Sequence, residues 1–511
     1  MLMLFAVFAV CSLVRVHFIL QRGGLDGDEH TSFVLAYNSK GWFGNTFEPE
    51  KVYEATELKN NLFVDDRGGW KGYAEDMATL WNDNRDPSHA SLYYMALRTF
   101  LIGQDHADLK PAIHRACALN MVLFAFSFLV LSVLLLRVFP QRFGLVSALL
   151  ALAFLNPASV SMTLLAREYQ FAEMIMNAFA LLCVGLWNRI DMGGKLLTLK
   201  HVTVSSVLIA AFVSTGYFNV IFVLLAGSVV LWHAVRANGR RELLFVPAVL
   251  MVSVSVCLLM YAGYFRFLGD SRTVEVSSKL RGASLFQNLF YSASSAVRML
   301  VLDMFGCVSA VLAVFLLAVA LFRKRLFAGN VPCSWLGGCA FLWFSLVFVF
   351  TTWKLNRYSS PGVPLLMAFL FAWLIQRAGR WHRAFLSVAV VLAFVHTVWG
   401  NRVKFVYSEK IDFPKEKRVF LMAHELCDCH TLTLLTPMMA DGQECVILTD
   451  IGRSGLFTDS PTVSVIADHD TAPFIDPCAV LSSRPLEGRR LFVYTVKNRE
   501  KPSAVCRPLS R

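Results

Sequence analysis

A water-soluble globule is excluded by the composition, because only 16% of the 511 residues are charged and 56% are hydrophobic. Soluble domains carry roughly 25% charged residues, and the mean hydropathy here is +0.54. The net charge of +12 does not indicate nucleic-acid binding, since no basic run with interleaved aromatic residues is present.

The apolar runs predict eleven membrane-spanning helices, because a span needs about 17–25 mostly apolar residues. Residues 202–234 are too long for one span: at about 1.5 Å per residue they would reach roughly 50 Å, against a hydrocarbon core of about 30 Å. The turn-forming stretch "STGYFN" (214–219) therefore divides them into two helices. The predicted spans are 2–20, 116–136, 143–157, 169–188, 202–216, 218–234, 244–265, 300–322, 334–352, 361–377 and 382–400.

The distribution of basic residues orients these spans. The five loops that follow even-numbered helices are short and basic, so the positive-inside rule assigns them to the cytoplasm. The N-terminus is then cytoplasmic, and the first loop (21–115) and the tail (401–511) lie outside. The smaller outer loops are predicted at 158–168, 266–299 and 353–360.

The tail is predicted to be a small α/β or β-rich extracytoplasmic domain. Its short runs "RVFLMA", "CVILTD", "VSVIA" and "LFVYTV" have the length and β-branched content of strands. In an oxidising compartment its cysteines are expected to form one or two disulfides with one thiol left over. "HELCDCH" (424–430) could alternatively hold a metal, although its spacing is irregular. The tail cysteines are Cys427, Cys429, Cys445, Cys478 and Cys506.

Charged residues cluster where the outer loops meet the predicted spans. "LDGDEHTSF" (25–33) and "NDNRDPSHASLYY" (82–94) belong to the first loop, "LAREYQF" (165–171) enters the fourth span, and "WKLNRYSSPG" (353–362) precedes the tenth. Each stretch also has a structural interpretation: a solvated loop, a surface helix, or an arginine that reaches the interface. Lys354 and Arg357, however, lie on the side that the positive-inside rule disfavours, so they need an anionic partner.

This combination points to a lipid phosphate. Guanidinium groups bind phosphate in a bidentate manner, and a phosphate at membrane level is carried by a lipid. A nearby carboxylate can act as a general base for an acceptor hydroxyl or amine. We therefore expect transfer of a group from a phospholipid-like donor to an acceptor outside the cytoplasm.

The sequence resembles the GT-C superfamily of polyprenyl-phosphate-dependent membrane glycosyltransferases, in the branch of bacterial protein O-mannosyltransferases and the lipid A aminoarabinose transferase. Four motifs occur in order over residues 1–400: an arginine late in helix one (Arg15) followed by "LDGDE", then "DPSHASLYY", "LAREYQF" and "NRYSSPGVP". One departure from the family pattern is Ala90-Ser91, where the family has two prolines after the histidine.

The resemblance implies roles for individual residues. Asp28 would be the general base of an inverting transfer, and Glu29 would orient the acceptor or a neighbouring cation. Asp86, His89 and Tyr93 would shape the donor or acceptor site, and Asp86 and His89 would be the ligands if a divalent metal takes part; no cofactor is firmly expected. The donor phosphate would be held by Arg167, Tyr169, Lys354, Arg357 and Tyr358.

The expected protein is thus an all-α polytopic membrane enzyme of the bacterial inner membrane, with a GT-C-like domain (1–400) and an extracytoplasmic domain (401–511). Its expected partners are a polyprenyl-phosphate-linked sugar, membrane lipids and a lipid, glycan or protein acceptor, without nucleic acid. The alternatives are a membrane transporter, a non-catalytic scaffold, or an O-antigen ligase or polymerase that uses a diphosphate-linked chain.

Overall fold

The structure is a computed structural model. It describes residues 2–24, 27–37, 51–62, 69–86, 89–104, 109–269, 284–306, 308, 333–351, 356–378, 382–406, 413–422, 435–436, 439–448, 462–468, 480–486 and 491–497. The chain forms two compact units, one of residues 1–20, 77–100 and 116–406, and the other of residues 21–76, 101–115 and 407–511.

The first unit is helical. It contains α1 (Leu2–Gln21), the end of α4 (Trp70–Asn82), α5 (Leu92–Phe100), most of α6 (Leu109–Val138), α7 (Phe143–Phe154), α8 (Pro157–Leu164), α9 (Tyr169–Asp191), α10 (Leu199–Val213), α11 (Asn219–Asn238), α12 (Phe245–Met260), α13 (Ser284–Arg298, continued by a π-helix Met299–Phe305), α14 (Ser334–Phe350), α15 (Val363–Ala378) and α16 (His382–Trp399).

Among the described residues, five helices are long and apolar enough to cross a membrane: α1, α6, α9, α11 and α12 with the turn that precedes it. The bent pair α7–α8 would make a sixth, and α10, α14, α15 and α16 are shorter apolar helices. The chain is therefore a multi-pass membrane protein, as predicted. The separation of α10 from α11 is confirmed, whereas the count of eleven spans is not, and most of the predicted span 300–322 lies outside the described residues.

Two of the predicted outer loops contain helices. Residues 158–168 include α8, and residues 266–299 include α13. At α8 the reason is local: the Asn156 side chain accepts a hydrogen bond from Ser159 N (2.9 Å) and donates to Ala153 O (2.7 Å). One side chain thus ends α7 and begins α8, Pro157 occupies the first turn, and the two helices meet at 62°.

The second unit contains α2 (Gly27–Ala36), α3 (Ala55–Leu62) and a six-stranded sheet. The strands are β1 (Val52–Glu54), β2 (Arg418–Met422), β3 (Glu444–Leu448), β4 (Thr462–Asp468), β5 (Val480–Leu486) and β6 (Leu491–Lys497), in the order β1-β3-β2-β4-β6-β5. β2 is parallel to β3 and β4, and the other pairs are antiparallel. A small mixed sheet in the tail is thereby confirmed.

One strand of this sheet comes from the first outer loop. β1 pairs with β3, and Ala55 N donates to Gln443 O at 2.7 Å. Tyr53, Ala55 and Leu58 then join the apolar layer on one face of the sheet. Residues 21–76 and 101–115 of the first loop consequently belong to the same unit as residues 407–511 of the tail.

Cys445 is buried on β3 as a free thiol. Burial raises the pKa of this thiol to about 12, so it stays protonated at neutral pH. The other four tail cysteines and the "HELCDCH" stretch lie outside the described residues, so the disulfide prediction and its metal alternative stay untested.

Candidate functional site in the helical unit

Arg167 lies in the short connection between α8 and α9. Asn120 of α6 fixes this connection, because its amide donates to Thr163 O (3.2 Å) and Leu165 O (2.7 Å) at the end of α8. The carbonyl groups at a helix end need such external donors. Arg167 N also donates to Leu165 O (2.7 Å). The backbone that carries Arg167 is therefore held from two sides.

The Arg167 side chain meets the residues of the "DPSHASLYY" motif. Its Nη1 donates to the Tyr94 hydroxyl (3.1 Å), and that hydroxyl donates to Asp86 Oδ2 (3.3 Å). Asp86 Oδ2 also lies 2.7 Å from His89 Nδ1, while His89 Nε2 is 3.9 Å from Glu168 Oε1. We call these five residues, Asp86, His89, Tyr94, Arg167 and Glu168, the arginine–histidine cluster.

The electrostatics of the cluster keep Tyr94 neutral. Burial raises the pKa of its phenol well above the usual range, and the positive charge of Arg167 only partly opposes this effect. A neutral phenol can accept from the guanidinium and donate to the carboxylate at the same time. Tyr94 therefore links Arg167 to Asp86 and holds both side chains in place.

Asp86 and His89 are bound to each other. Because a carboxylate is only an acceptor, Asp86 fixes a proton on His89 Nδ1. The side chains remain reachable, since 13% of Asp86 and 15% of His89 is exposed. Within the described residues no group of three or more His, Cys, Asp or Glu side chains is arranged to hold a metal, so a metal role for this pair stays a prediction.

Tyr169 contacts the segment that carries Arg357. Its ring packs edge-on against Tyr358 at a centroid distance of 6.0 Å. The Arg357 guanidinium is 5.5 Å from the centre of the Tyr358 ring. The motifs of Arg167 and Arg357, which are 190 positions apart in the sequence, therefore meet through these two tyrosines. Lys354 lies outside the described residues.

The two tyrosines of the "SLYY" motif differ in their contacts. Tyr93 is fully buried and donates to Asn120 Oδ1 (3.2 Å), whereas Tyr94 contacts Asp86 and Arg167. The sequence pattern does not separate these two tyrosines, because consecutive helix positions differ in direction by about 100° and either could face the cluster.

The predicted catalytic carboxylates belong to the second unit. Asp28 and Glu29 lie in the first turn of α2, where negative charge is favoured by the helix dipole. Asp28 is half-buried. Glu29 is fully buried and forms an ion pair with Arg22, which is also fully buried and donates through Nε to Gly24 O (3.2 Å). Glu29 therefore fixes the start of α2, and Arg22 is a partner that sequence reasoning missed.

A second buried polar cluster lies among the apolar helices of the first unit. Arg15 of α1 donates to Thr163 Oγ1 (3.0 Å), Ser159 Oγ (2.9 Å) and Phe154 O (3.1 Å), and its guanidinium lies 3.8 Å from the centre of the Phe124 ring. Arg15 thus braces both halves of the bent α7–α8 pair.

The hydrogen bonds continue from Thr163 to α9. Thr163 Oγ1 donates to Gln170 Oε1 (2.8 Å), and Gln170 Nε2 donates to Glu173 Oε1 (2.8 Å), which also accepts from Ser127 Oγ (2.9 Å). We call the set from Arg15 to Glu173 the arginine–glutamate network. Two features of the sequence indicate this network: Arg15 is the single arginine of helix one, and Glu173 lies inside an apolar helix.

The described residues thus define a multi-pass membrane protein with two buried arginine clusters in its helical unit. No family model and no curated protein matches the chain. Among solved structures, the chain is similar to the crystal structure of ArnT from Cupriavidus metallidurans bound to undecaprenyl phosphate, with 11% identity, a TM-score of 0.47, and 98% of this chain and 99% of that chain covered.

Proposed function

We propose that the protein is an integral-membrane glycosyltransferase. It would transfer a sugar from a polyprenyl-phosphate donor to an extracytoplasmic acceptor, with inversion and with Asp28 as general base. The observation that carries the proposal is the ring contact between Tyr169 and Tyr358, at a centroid distance of 6.0 Å, because it brings the segment of Arg167 to the segment of Arg357. Both arginines precede or begin apolar helices, on the side that the charge bias assigns to the outside.

The arrangement suits a phosphate for electrostatic reasons. Arginine binds phosphate oxygens with fixed, paired donors, and a leaving phosphate gains charge as the glycosidic bond breaks. Cations placed beforehand stabilise this charge more in the transition state than in the ground state. The direction of the Arg167 side chain would be fixed by Tyr94, Asp86 and Glu168. Tyr358 would pack against the Arg357 guanidinium.

Asp28 is assigned as the base from its motif. It follows Arg22 by six positions in "RGGLDGDE", and its neighbour Glu29 is occupied by the ion pair with Arg22. A half-buried carboxylate at the start of α2 can accept a proton from an incoming hydroxyl or amine.

Transport is the second candidate function, because the arginine–glutamate network lies inside the helical unit. Ionisable groups among membrane helices often mark transport pathways. Arg15, however, donates to the backbone and hydroxyl groups of the α7–α8 pair, which suits a static brace better than a site that exchanges ligands. A diphosphate-linked donor, as in a ligase or polymerase, would use the same cations.

The test follows labelled sugar from lipid to acceptor. Membranes of an expressing host are labelled with a radioactive monosaccharide, and label is measured in the polyprenyl-phosphate fraction and in the acceptor fraction. We expect Asp28→Asn to lower transfer by about 100-fold or more, since a general base contributes about 10²–10⁴-fold, while the lipid fraction stays labelled. Asp26→Asn, in the same acidic stretch, is the matched control and should transfer normally.

Two results would contradict the proposal. Normal transfer by Asp28→Asn would remove Asp28 from the base role. Wild-type protein that accumulates a solute in sealed vesicles and moves no label from lipid to acceptor would make the protein a transporter.

A further inference from the structure

The segment after α16, residues 400–406, has a strained backbone. Asn401 and Phe405 have φ values of 50° and 67°, in the left-handed region that a bulky residue such as phenylalanine rarely adopts. Such strain persists only where its surroundings enforce it, and it concentrates at binding and catalytic sites. Contacts with neighbouring elements are therefore expected to hold the backbone of this segment in its strained conformation.

Those contacts lead to the proposed donor site. Lys404 N donates to Ser161 Oγ of α8 (2.9 Å). Phe405 packs against an apolar group formed by Met162, Leu165 and Tyr169, which Tyr358 also joins. The segment is thus fixed to the helix that leads to Arg167 and to the tyrosine pair next to Arg357.

A second irregular element provides the partner of Lys404. Asp303 lies in the π-helix Met299–Phe305, a rare form of helix that is frequent at functional sites. Its Oδ2 is 3.2 Å from Lys404 Nζ. The same π-helix is tied to the Arg357 segment, because the Ser359 hydroxyl contacts Met299 Sδ at 3.3 Å.

The Lys404 ammonium keeps capacity for a further ligand. An ammonium has three N–H donors. Among the described residues, the Lys404 ammonium forms its ion pair with the Asp303 carboxylate, which uses one of these donors. Asp303 is nearly buried, at 11% side-chain exposure, whereas Lys404 is 48% exposed. Asp303 therefore holds the lysine in position while its remaining donors face accessible space.

We propose that Lys404 is a third cation of the donor site and binds the phosphate of the lipid carrier together with Arg167 and Arg357. This inference rests on the proposed function, since it assigns a further ligand to the same phosphate. The strained turn at Phe405 fixes the lysine backbone, and Asp303 limits the directions that its side chain can take. Release of the carrier phosphate would leave Lys404 paired with Asp303 alone.

The experiment measures binding of a synthetic polyprenyl monophosphate to the purified full-length protein in detergent. The uncharged polyprenol and inorganic phosphate are measured in parallel. We expect Lys404→Gln to weaken binding of the lipid phosphate by about 10-fold or more, as loss of a charge-assisted hydrogen bond does, and to leave polyprenol binding unchanged. Lys404→Arg should bind within about threefold of the wild type, because it keeps the charge.

Two variants separate ligand binding from a structural role. Arg402→Gln removes an exposed cation from the same segment and should bind normally. Asp303→Asn should keep or strengthen binding, because the amide oxygen still accepts a hydrogen bond from Lys404 while the negative charge that competes with the phosphate is removed. If the ion pair were merely structural, Asp303→Asn and Lys404→Gln would weaken binding alike or lower only the melting temperature.

The outcomes distinguish this inference from the proposed function. Wild-type protein that binds polyprenol as well as polyprenyl phosphate would overturn the proposed donor, and with it the role of Lys404. Phosphate-dependent binding that Arg167→Ala abolishes and Lys404→Gln leaves unchanged would retain the donor and overturn only the inference. If Lys404→Gln weakened binding of inorganic phosphate as much as binding of polyprenyl phosphate, Lys404 would belong to a site for free phosphate, and its assignment to a lipid phosphate would be wrong.

Discussion

Two of the buried arginines in the helical unit, Arg15 and Arg167, have surroundings that differ in one respect. Arg15 is fully buried and donates to hydroxyl and carbonyl oxygens of fixed helices. Arg167 is nearly as buried, but its neighbours Asp86 and His89 are 13–15% exposed. An arginine whose donors are all directed at buried protein oxygens has a structural role. An arginine whose charged neighbours are partly exposed to solvent can bind a ligand. Burial alone does not separate the two functions.

The largest expected effect concerns the closed cluster. Arg15→Met should destabilise the protein by about 3–5 kcal/mol, the cost of removing one partner from a buried charged set, because the Thr163, Ser159 and Phe154 oxygens lose their donor. Thermal unfolding in detergent measures the loss. Arg137→Met, at an exposed position of α6, should melt like the wild type. A stable Arg15→Met variant without activity would instead give this network a functional role.

The open cluster should respond differently. Arg167→Ala is expected to weaken binding of polyprenyl phosphate by about 10–100-fold, the range for charge-assisted hydrogen bonds, with a smaller loss of stability than Arg15→Met. Titration of the lipid phosphate and thermal unfolding of the same sample give both values. A larger loss of stability than Arg15→Met, with normal binding, would remove the distinction between the clusters.

The Asp86–His89 pair tests whether the open cluster uses a metal. Asp86→Asn should lower donor binding or transfer by about 10-fold, since it removes the charged acceptor of the His89 Nδ1 proton. Treatment with EDTA should leave the wild type unchanged, because Asp86 and His89 bind each other. EDTA that reproduces the Asp86→Asn defect, with recovery on adding a divalent cation, would establish a metal site.

The smallest effects distinguish the adjacent tyrosines. Each phenylalanine substitution removes a hydroxyl whose hydrogen bonds contribute about 1 kcal/mol each. Tyr93→Phe should lower only the free energy of unfolding, because its partner is Asn120. Tyr94→Phe should weaken donor binding severalfold, because Arg167 and Asp86 lose their link. Equal effects of the two variants on donor binding would contradict this assignment.

Several features of the fold were predictable from local pattern. The apolar runs predicted the helices because only a closed backbone hydrogen-bond pattern is stable in lipid, and "STGYFN" correctly divided α10 from α11. The β-branched runs of the tail predicted β2, β3, β4 and β6. By contrast, β5 (Val480–Leu486) was missed, because its "SSRP" interrupts the apolar pattern of a strand.

The sequence by itself determined which chemistry was available: arginines, carboxylates and tyrosines next to apolar helices, in four ordered motifs. Only the tertiary structure decided which of them meet. It placed Tyr94 rather than Tyr93 against Arg167 and paired Glu29 with Arg22. It also added β1 of the first loop to the edge of the tail sheet and brought Lys404 to Asp303. The physical reason is that helix and strand periodicity follows from neighbouring residues, whereas packing sets which side chains pair across a turn or between elements.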